Sequence, residues 1–425
     1  MTEYVTETIF TWGAPPLKFG VGAIDELGYD CGRLGLERVL VVTDKGVAAT
    51  GIPERAAAAL ENAGLKPTVY DGVHCEPTDA SFRDAVEYAR DTEWDGFVAV
   101  GGGSSIDTAK AVNLLTTNPG ELMDYVNPPI GGGKAPPEPV KPFVAVPTTA
   151  GTGSESTAMC VLDVLHLKVK TAISHPKLRP TLAVVDPLTT LSVPPHVTAA
   201  CGMDVLGHAL ESYTARPYQA YGRRRPEQRL VYVGSNPISD AFIEKALQRL
   251  SRSLRKAVLT GKDLDARTDM MLAASFAGMG FGNAGVHIPH ACAYPIAGRV
   301  RSYRPADYPP AEPMVPHGES VALTTPATFR FTFPTDPERH LRAAEWLDPR
   351  VSEIDDARER LPRALIGLMR DVGIASGVAA VGYDESDIPD LVEGALKQQR
   401  LISMAPREVT AEDVEAIFAA SMINW

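Results

Sequence analysis

Short apolar runs alternate with helical stretches up to about residue 193 and then stop. Arg38-Val-Leu-Val-Val-Thr-Asp, Lys66-Pro-Thr-Val-Tyr-Asp, Gly96-Phe-Val-Ala-Val, Pro142-Phe-Val-Ala-Val-Pro and Thr181-Leu-Ala-Val-Val-Asp read as strands. Segments such as Pro53 to Ala63 and Asp79 to Asp91 read as helices between them. A strand that is apolar on both faces needs cover on both, so the alternation predicts a parallel sheet between two layers of helix. From about Pro194 the pattern changes. Val197-Thr-Ala-Ala-Cys, Ala241 to Lys256, Asp265 to Ala277, Glu338 to Leu347, Asp355 to Val372 and Ala411 to Met422 read as helices, and strand-like runs are scarce. At 425 residues the chain is too long for one simple core. The expectation is α/β plus all-α: an α/β domain over residues 1–193 and a helical domain over 194–425.

Two turns in the first part suit a nucleotide. Phe97-Val-Ala-Val-Gly101-Gly102-Gly103-Ser104-Ser105-Ile-Asp107-Thr-Ala-Lys110 is a strand, a tight turn and a helix. Three glycines let backbone approach a ligand, and the helix start offers N–H groups and a positive dipole end to a phosphate. The plainer reading is a strand–helix turn capped by Ser104 or Ser105. The run is not G-x-G-x-x-G, so a standard Rossmann site is not implied. Pro147-Thr148-Thr149-Ala-Gly151-Thr152-Gly153-Ser154-Glu155 is rich in hydroxyls and glycines, and reads as a second ligand loop or as an ordinary polar one. Asp44 ends the first strand at the carboxyl edge. There it would accept from a ribose 2′-hydroxyl and repel a 2′-phosphate, favouring NAD over NADP, or else cap a helix.

The second part carries a candidate metal set. Asp204 and His208, in G-M-D-V-L-G-H-A-L-E, are four apart and share one helix face. His290 lies in G-V-H-I-P-H-A and His317 in V-P-H-G-E. One carboxylate and three imidazoles suit a divalent first-row metal. Taken singly, each histidine is more often a core or surface residue than a ligand.

Composition narrows the partners. The net charge is −12 with no long basic tract, which argues against nucleic acid or an anionic membrane. No apolar run approaches the length of a membrane span. Cys31, Cys75, Cys160, Cys201 and Cys292 are scattered and odd in number, so free thiols are expected. The start, Met1-Thr-Glu-Tyr-Val-Thr-Glu, is acidic and lacks signal- or transit-peptide features, which sets the expectation of a cytoplasmic protein.

In this order, G-G-G-S-S-I-D-T-A-K, P-T-T-A-G-T-G-S-E, D-x-x-x-H, H-A-C-A-Y-P and P-H-G resemble the iron-containing (group III) alcohol dehydrogenases over essentially the whole chain. Within that family the chain is similar to the hydroxyacid–oxoacid transhydrogenases. F-G-N-A-G-V-H-I-P-H-A-C-A-Y-P-I-A-G, G-S-N-P-I-S-D, H-L-K-V-K, V-G-Y-D-E-S-D-I-P, Q-Q-R-L-I-S-M-A-P and the insert between His290 and His317 carry that likeness.

The resemblance implies the dehydroquinate synthase-like fold: a Rossmann-like dinucleotide-binding domain and a helical metal-binding domain, with the active site in the cleft. It implies metal ligands Asp204, His208, His290 and His317, and NAD contacts at Asp44, Gly102, Gly103, Ser104, Asp107, Thr148, Thr149, Thr152 and Lys170. The metal implied is Fe2+, although zinc outcompetes ferrous iron by affinity alone. The activity implied is hydride transfer from 4-hydroxybutyrate to 2-oxoglutarate through bound NAD, giving succinic semialdehyde and 2-hydroxyglutarate. An alcohol dehydrogenase with exchangeable NAD(H) is the alternative, and a lyase on the same scaffold a more distant one. A homo-oligomer, a dimer, is expected.

Two positions depart from the family pattern. Tyr294 stands where many relatives carry a second histidine, and Glu76 where many carry asparagine. His287 is an extra histidine one turn before His290. His287 and Tyr294 are therefore the candidates for handling the substrate proton. Arg299, Arg301 and Arg304 of the insert, with Arg223 to Arg225, are candidates for binding substrate carboxylates or are solvated surface residues.

Overall fold

The computed structural model describes residues 6–167, 169–308 and 313–425. The first five residues of the acidic start, Lys168 of H-L-K-V-K and residues 309–312 of the insert lie outside them. Chain contacts divide it into Ala14–Ser192 and a helical unit, Val193–Trp425, which the N-terminal residues up to Gly13 join. Asn283 holds that N-terminal segment: its Oδ1 accepts from the Gly13 N–H at 2.9 Å and its Nδ2 donates to the Gly13 carbonyl at 3.0 Å.

Among the described residues the α/β unit has eight strands: β1 (Leu17–Phe19), β2 (Arg38–Val42), β3 (Lys66–Tyr70), β4 (Gly96–Gly101), β5 (Phe143–Pro147), β6 (Met159–Val164), β7 (Val169–Ser174) and β8 (Leu182–Val185). Six form one parallel sheet in the order β1-β8-β5-β4-β2-β3. Its helices are α1 (Leu27–Arg33), α2 (Ile52–Asn62), α3 (Asp79–Arg90) and α4 (Gly103–Thr117).

Side chains alternate across the sheet. Val39, Val41, Val98, Val100, Val144 and Val146 enter one core with Leu27 and Cys31 of α1 and Ala56 and Leu60 of α2. Leu40, Val42, Phe97, Ala99, Phe143 and Ala145 enter the other with α3 and α4. Full burial of each large apolar side chain contributes about 1.5–3 kcal/mol. β6 and β7 form a separate antiparallel hairpin that the apolar-run pattern did not announce. In β6 the buried residues Cys160, Leu162 and Val164 recur at period two, with Val161 and Asp163 only partly buried between them.

The chain runs from β2 to its neighbour β3, then returns to pair β4 on the other side of β2. That reversal is the topological switch point, where doubly wound sheets open a crevice at their carboxyl ends. Asp44 and the glycine turn stand at those two strand ends.

The helical unit contains α5 (Pro195–Thr214), α6 (Pro237–Leu259), α7 (Leu264–Ala284), α8 (Ile288–Gly298), α9 (His317–Thr332), α10 (Pro337–Leu347), α11 (Arg360–Asp371), α12 (Ile388–Leu396) and α13 (Ala411–Ala420). α5 packs against α6, α7, α8, α9 and α10 and is buried on nearly every face. Its polar residues are therefore held inside the unit, where they need partners. No helix among the described residues is long and apolar enough to cross a membrane.

Candidate functional site

Asp204, His208 and Glu211 lie at i, i+4 and i+7 on α5, so one helix face carries all three into the interior. Their exposures are 2%, 5% and 0%. His290 comes from the first turns of α8, and His317 is the first residue of α9. Asp204 Oδ1 is the hub. It lies 3.6 Å from His208 Nε2, 3.6 Å from His290 Nε2 and 3.7 Å from His317 Nε2.

Ligand atoms about 2.1 Å from a cation at tetrahedral angles stand about 3.4 Å apart, so these separations fit donors around one ion better than hydrogen bonds. Asp204, His290 and His317 offer ligand atoms within 4.8 Å of one another. His208 falls outside that mutual set and joins it through the Asp204 oxygen and by stacking on His290, ring centroids 4.8 Å apart. Phe281 stacks on His208 at 3.8 Å and fixes its plane. Asp204 Oδ1 and His290 Nε2 are buried and make no hydrogen bond among the described residues, which a cation between them remedies.

The electrostatics follow the geometry. Burial acts to raise the Asp204 pKa, but the imidazoles of His208, His317 and His290 outweigh it and hold the carboxyl well below its usual range. Burial pulls His208 down to about 3, keeping it neutral and able to ligate. His290 is pulled down by burial, yet Glu211 and Asp204 together push it up to about 9.

Glu211 was not among the expected site residues. Its Oε1 lies 2.6 Å from His290 Nδ1, and its Oε2 accepts the backbone N–H of His287 at 2.7 Å and of His290 at 3.4 Å. It thus caps α8 from outside and orients the ligand imidazole through the nitrogen that does not face Asp204. Carboxylate, histidine and cation in series is the usual outer arrangement of metal-bound histidine. Glu211→Gln is expected to lower metal affinity about 10–100-fold while the fold survives. Metal titration of the stripped protein checks this; an unchanged affinity would remove Glu211 from the site.

The two proton-handling candidates differ in position. His287 is fully buried at the N-cap of α8, with Nε2 3.1 Å from Thr214 Oγ1. Burial brings its pKa down to about 4. It stays outside the metal set. Tyr294 is partly exposed and lies beside His317, ring centroids 6.2 Å apart. The arginines are engaged elsewhere. Arg299 pairs with Asp390 at 2.8 Å, and Arg301 grips Asp387 through both Nη atoms at 2.9 and 2.7 Å. Arg223 donates to Glu7 and Thr8, and Arg224 lies over the Tyr221 ring.

In the α/β unit the two polar loops come together. Thr148 N donates to the Gly101 carbonyl at 3.0 Å. A Cβ on Gly103 would stand 2.6 Å from Thr152 Cγ2, and one on Gly102 would stand 3.4 Å from Thr149 Oγ1. The N-cap of α4 is Gly102, which has no side chain to accept from the first N–H groups, an arrangement that suits a phosphate. Asp44 takes the capping role: its Oδ1 accepts from Val47 N at 2.9 Å at the start of a short helix, while its Oδ2 accepts from Ser105 Oγ at 3.2 Å.

Two expected cofactor contacts have other partners. Asp107 points into the core, accepting from Ser154 Oγ and from Val161 N at 2.9 Å, with buried Lys110 beside it. Lys170 is bound to Glu76 and, at 3.2 Å, to Asp163.

Known proteins resemble the chain in sequence and in fold. The iron-containing alcohol dehydrogenase model matches residues 15–187, and the C-terminal model of the Fe-containing alcohol dehydrogenase family matches 227–422. The mitochondrial hydroxyacid-oxoacid transhydrogenase of Rattus norvegicus is 47% identical over 98% of this chain and 90% of its own length. That of Homo sapiens is 46% identical, with the same 98% and 90% coverage. Among solved structures, a 1,3-propanediol oxidoreductase superposes with TM-score 0.84 at 33% identity, covering 97% of this chain and all of its own. The sulfoacetaldehyde reductase of Bifidobacterium kashiwanohense, solved with NAD+, superposes at 0.80 with 27% identity, covering 98% of this chain and 99% of its own.

One expectation is corrected by these findings. The transhydrogenase relatives are named mitochondrial, so a cytoplasmic location does not stand. Charge and composition describe the folded body, which is compatible with either compartment. Targeting is carried by separable segments that a receptor reads.

Proposed function

The chain belongs to the iron-containing alcohol dehydrogenase family, and from that premise we propose that it acts as a hydroxyacid–oxoacid transhydrogenase. It is an oxidoreductase of CH–OH groups that uses NAD and a divalent metal, iron, on small hydroxy and oxo acids. The observation that carries the reaction class is the approach of three imidazole Nε2 atoms to one buried carboxylate oxygen. The specific pair we propose is 4-hydroxybutyrate, oxidised to succinic semialdehyde, and 2-oxoglutarate, reduced to 2-hydroxyglutarate.

Asp204, His208, His290 and His317 would hold the metal. When bound, it would supply a Lewis acid for the substrate oxygen, and NAD would supply a hydride acceptor and donor. The protein does the rest by position and charge. Asp204 sets the charge of the donor set, Glu211 orients His290, and Phe281 fixes the plane of His208. Tyr294, beside His317, handles the hydroxyl proton, whereas His287 braces α8. Gly102, Gly103, Ser104, Thr148, Thr149 and Thr152 would hold the pyrophosphate, where the two loops approach closely, and Asp44 would accept from the ribose. Asp107 acts on the cofactor only indirectly, by anchoring α4 to Ser154 and β6.

The discriminating experiment uses purified enzyme, 4-hydroxybutyrate and 2-oxoglutarate with no added cofactor. Formation of 2-hydroxyglutarate together with an equal amount of succinic semialdehyde is expected. Absence of 2-hydroxyglutarate, with stoichiometric consumption of added NADH by the aldehyde, would instead establish an exchanging dehydrogenase.

A further inference from the structure

A transhydrogenase must keep its NAD through both half-reactions, so something has to oppose release. The loop between β3 and α3 bears on this. It begins beside Asp44, where Gly72 and Asp44 form an antiparallel bridge and Val73 N donates to the Thr43 carbonyl at 3.3 Å. It then reaches to the glycine turn, where Glu76 N donates to Ser104 Oγ at 3.2 Å. The loop thus touches both strand ends that flank the switch point, β2 and β4.

Its far side is fastened to the β6–β7 hairpin: Asp163 N donates to the Pro77 carbonyl at 2.8 Å, and the Lys170 ammonium holds both Glu76 and Asp163. Glu76 sits at φ 57, a left-handed backbone that side chains other than glycine rarely adopt. Such strain persists where surrounding contacts hold it in place, and it clusters at ligand clamps. The Lys170 side chain is 7% exposed, so its charge is largely out of water and is met by the two carboxylates.

Resting on the transhydrogenase reading, we infer that the Glu76–Lys170–Asp163 bridge straps the residue 72–78 loop across the dinucleotide crevice and retards NAD release. Glu76 is on this account a positioning residue: it fixes the loop and Lys170 and takes no part in hydride transfer. Breaking the bridge frees the loop at its strained point and opens the crevice edge beside Asp44 and Ser104.

The test measures NAD off-rates of enzyme loaded with NAD+, cleared of excess by gel filtration and chased with labelled NAD+. Glu76→Gln is expected to raise the off-rate about tenfold, corresponding to roughly 1.4 kcal/mol. The wild-type off-rate should rise with ionic strength, because Glu76 is about one-third exposed. That of Glu76→Gln should rise less steeply, because only the Lys170–Asp163 pair of the bridge remains. A purely structural loss would leave the slope with salt unchanged.

Asp163→Asn loosens the same bridge without touching the strained residue and should give a smaller rise. It also serves as the test should Glu76→Gln fold poorly. Wild-type off-rates in both variants would overturn the inference. A wild type that sheds NAD within a turnover would remove the transhydrogenase reading, while the ratio of off-rates would still decide the role of Glu76.

Discussion

Replacing Asp204 by alanine should abolish metal retention and lower turnover by about a thousandfold or more, on the order of 4 kcal/mol of lost transition-state stabilisation. Asp204 is the one carboxylate of the donor set, and all three imidazoles lie within 3.7 Å of a single one of its oxygens. Without it a divalent ion would meet three neutral ligands and no anionic one, with Glu211 acting only through His290. The imidazoles would also lose the charge that offsets their burial, since desolvation already pulls His208 down to about 3. Asp204→Asn separates charge from shape, because the amide keeps the volume and one acceptor oxygen. We expect Asn to lose most of the activity as well, with metal content by elemental analysis falling in step. Wild-type metal content and turnover in Asp204→Ala would remove this residue from the centre of the site. A melting curve close to wild type is expected for Asp204→Asn, which makes the loss attributable to chemistry.

The parts of this molecule that depend on local pattern were legible in the sequence. Val39 to Val42 and Val98 to Val100 are apolar at successive positions because each strand has a core on both faces, and that demand is written into the residues. The Asp204/His208 spacing is likewise local, since one helix face follows from a separation of four. The strand order was not legible. It depends on which strand each crossover returns to, and the switch point that places Asp44 beside the glycine turn appears only once β4 pairs with β2.

What the sequence hid was mostly the identity of partners. Glu211 continues the Asp204 and His208 face by one more step and could have been found by extending the spacing to seven. Its importance arises from α8, whose N-terminus is delivered 76 residues later along the chain. Asp107 illustrates another limit, because proximity to a glycine turn does not say which way a side chain points. One turn into α4 it faces the core, where Ser154, Val161 and Lys110 satisfy it. The insert arginines suggested substrate contacts by charge alone, but α12 and the residues before it supply acids that engage Arg299 and Arg301. The β6–β7 hairpin escaped because Asp163 interrupts β6 and Lys170, Thr171 and Ser174 interrupt β7, so neither strand is a continuous apolar run and the rule for doubly covered strands did not apply to them.

Gly318→Ala should cost about 100-fold or more in turnover, although it adds a single methyl group next to a ligand. A Cβ at residue 318 would lie 1.9 Å from the Ala200 carbonyl oxygen and 2.8 Å from Asp204 Cβ. The obstacle is the backbone of α5, and close-packed interiors do not yield at backbone as they do at a side-chain tip. To restore ordinary contact, the first turn of α9 has to move by roughly 1 Å, and a metal site tolerates only about 0.2 Å in its ligand distances. His317 is the residue immediately before, so the displacement falls directly on the ligand set. Loss of metal affinity should therefore accompany the loss of turnover, with global stability falling by about 1–3 kcal/mol from overpacking. Gly207 provides the contrast, because its added Cβ would meet Val321 Cγ1 at 2.6 Å, the end of a side chain. Gly207→Ala should thus be rescued by Val321→Ala. Gly318→Ala should not be rescued by Ala200→Gly, because that change leaves the obstructing carbonyl in place. Rescue of Gly318→Ala by truncating Ala200 would show that side-chain crowding, and not the approach of the two backbones, sets the position of His317.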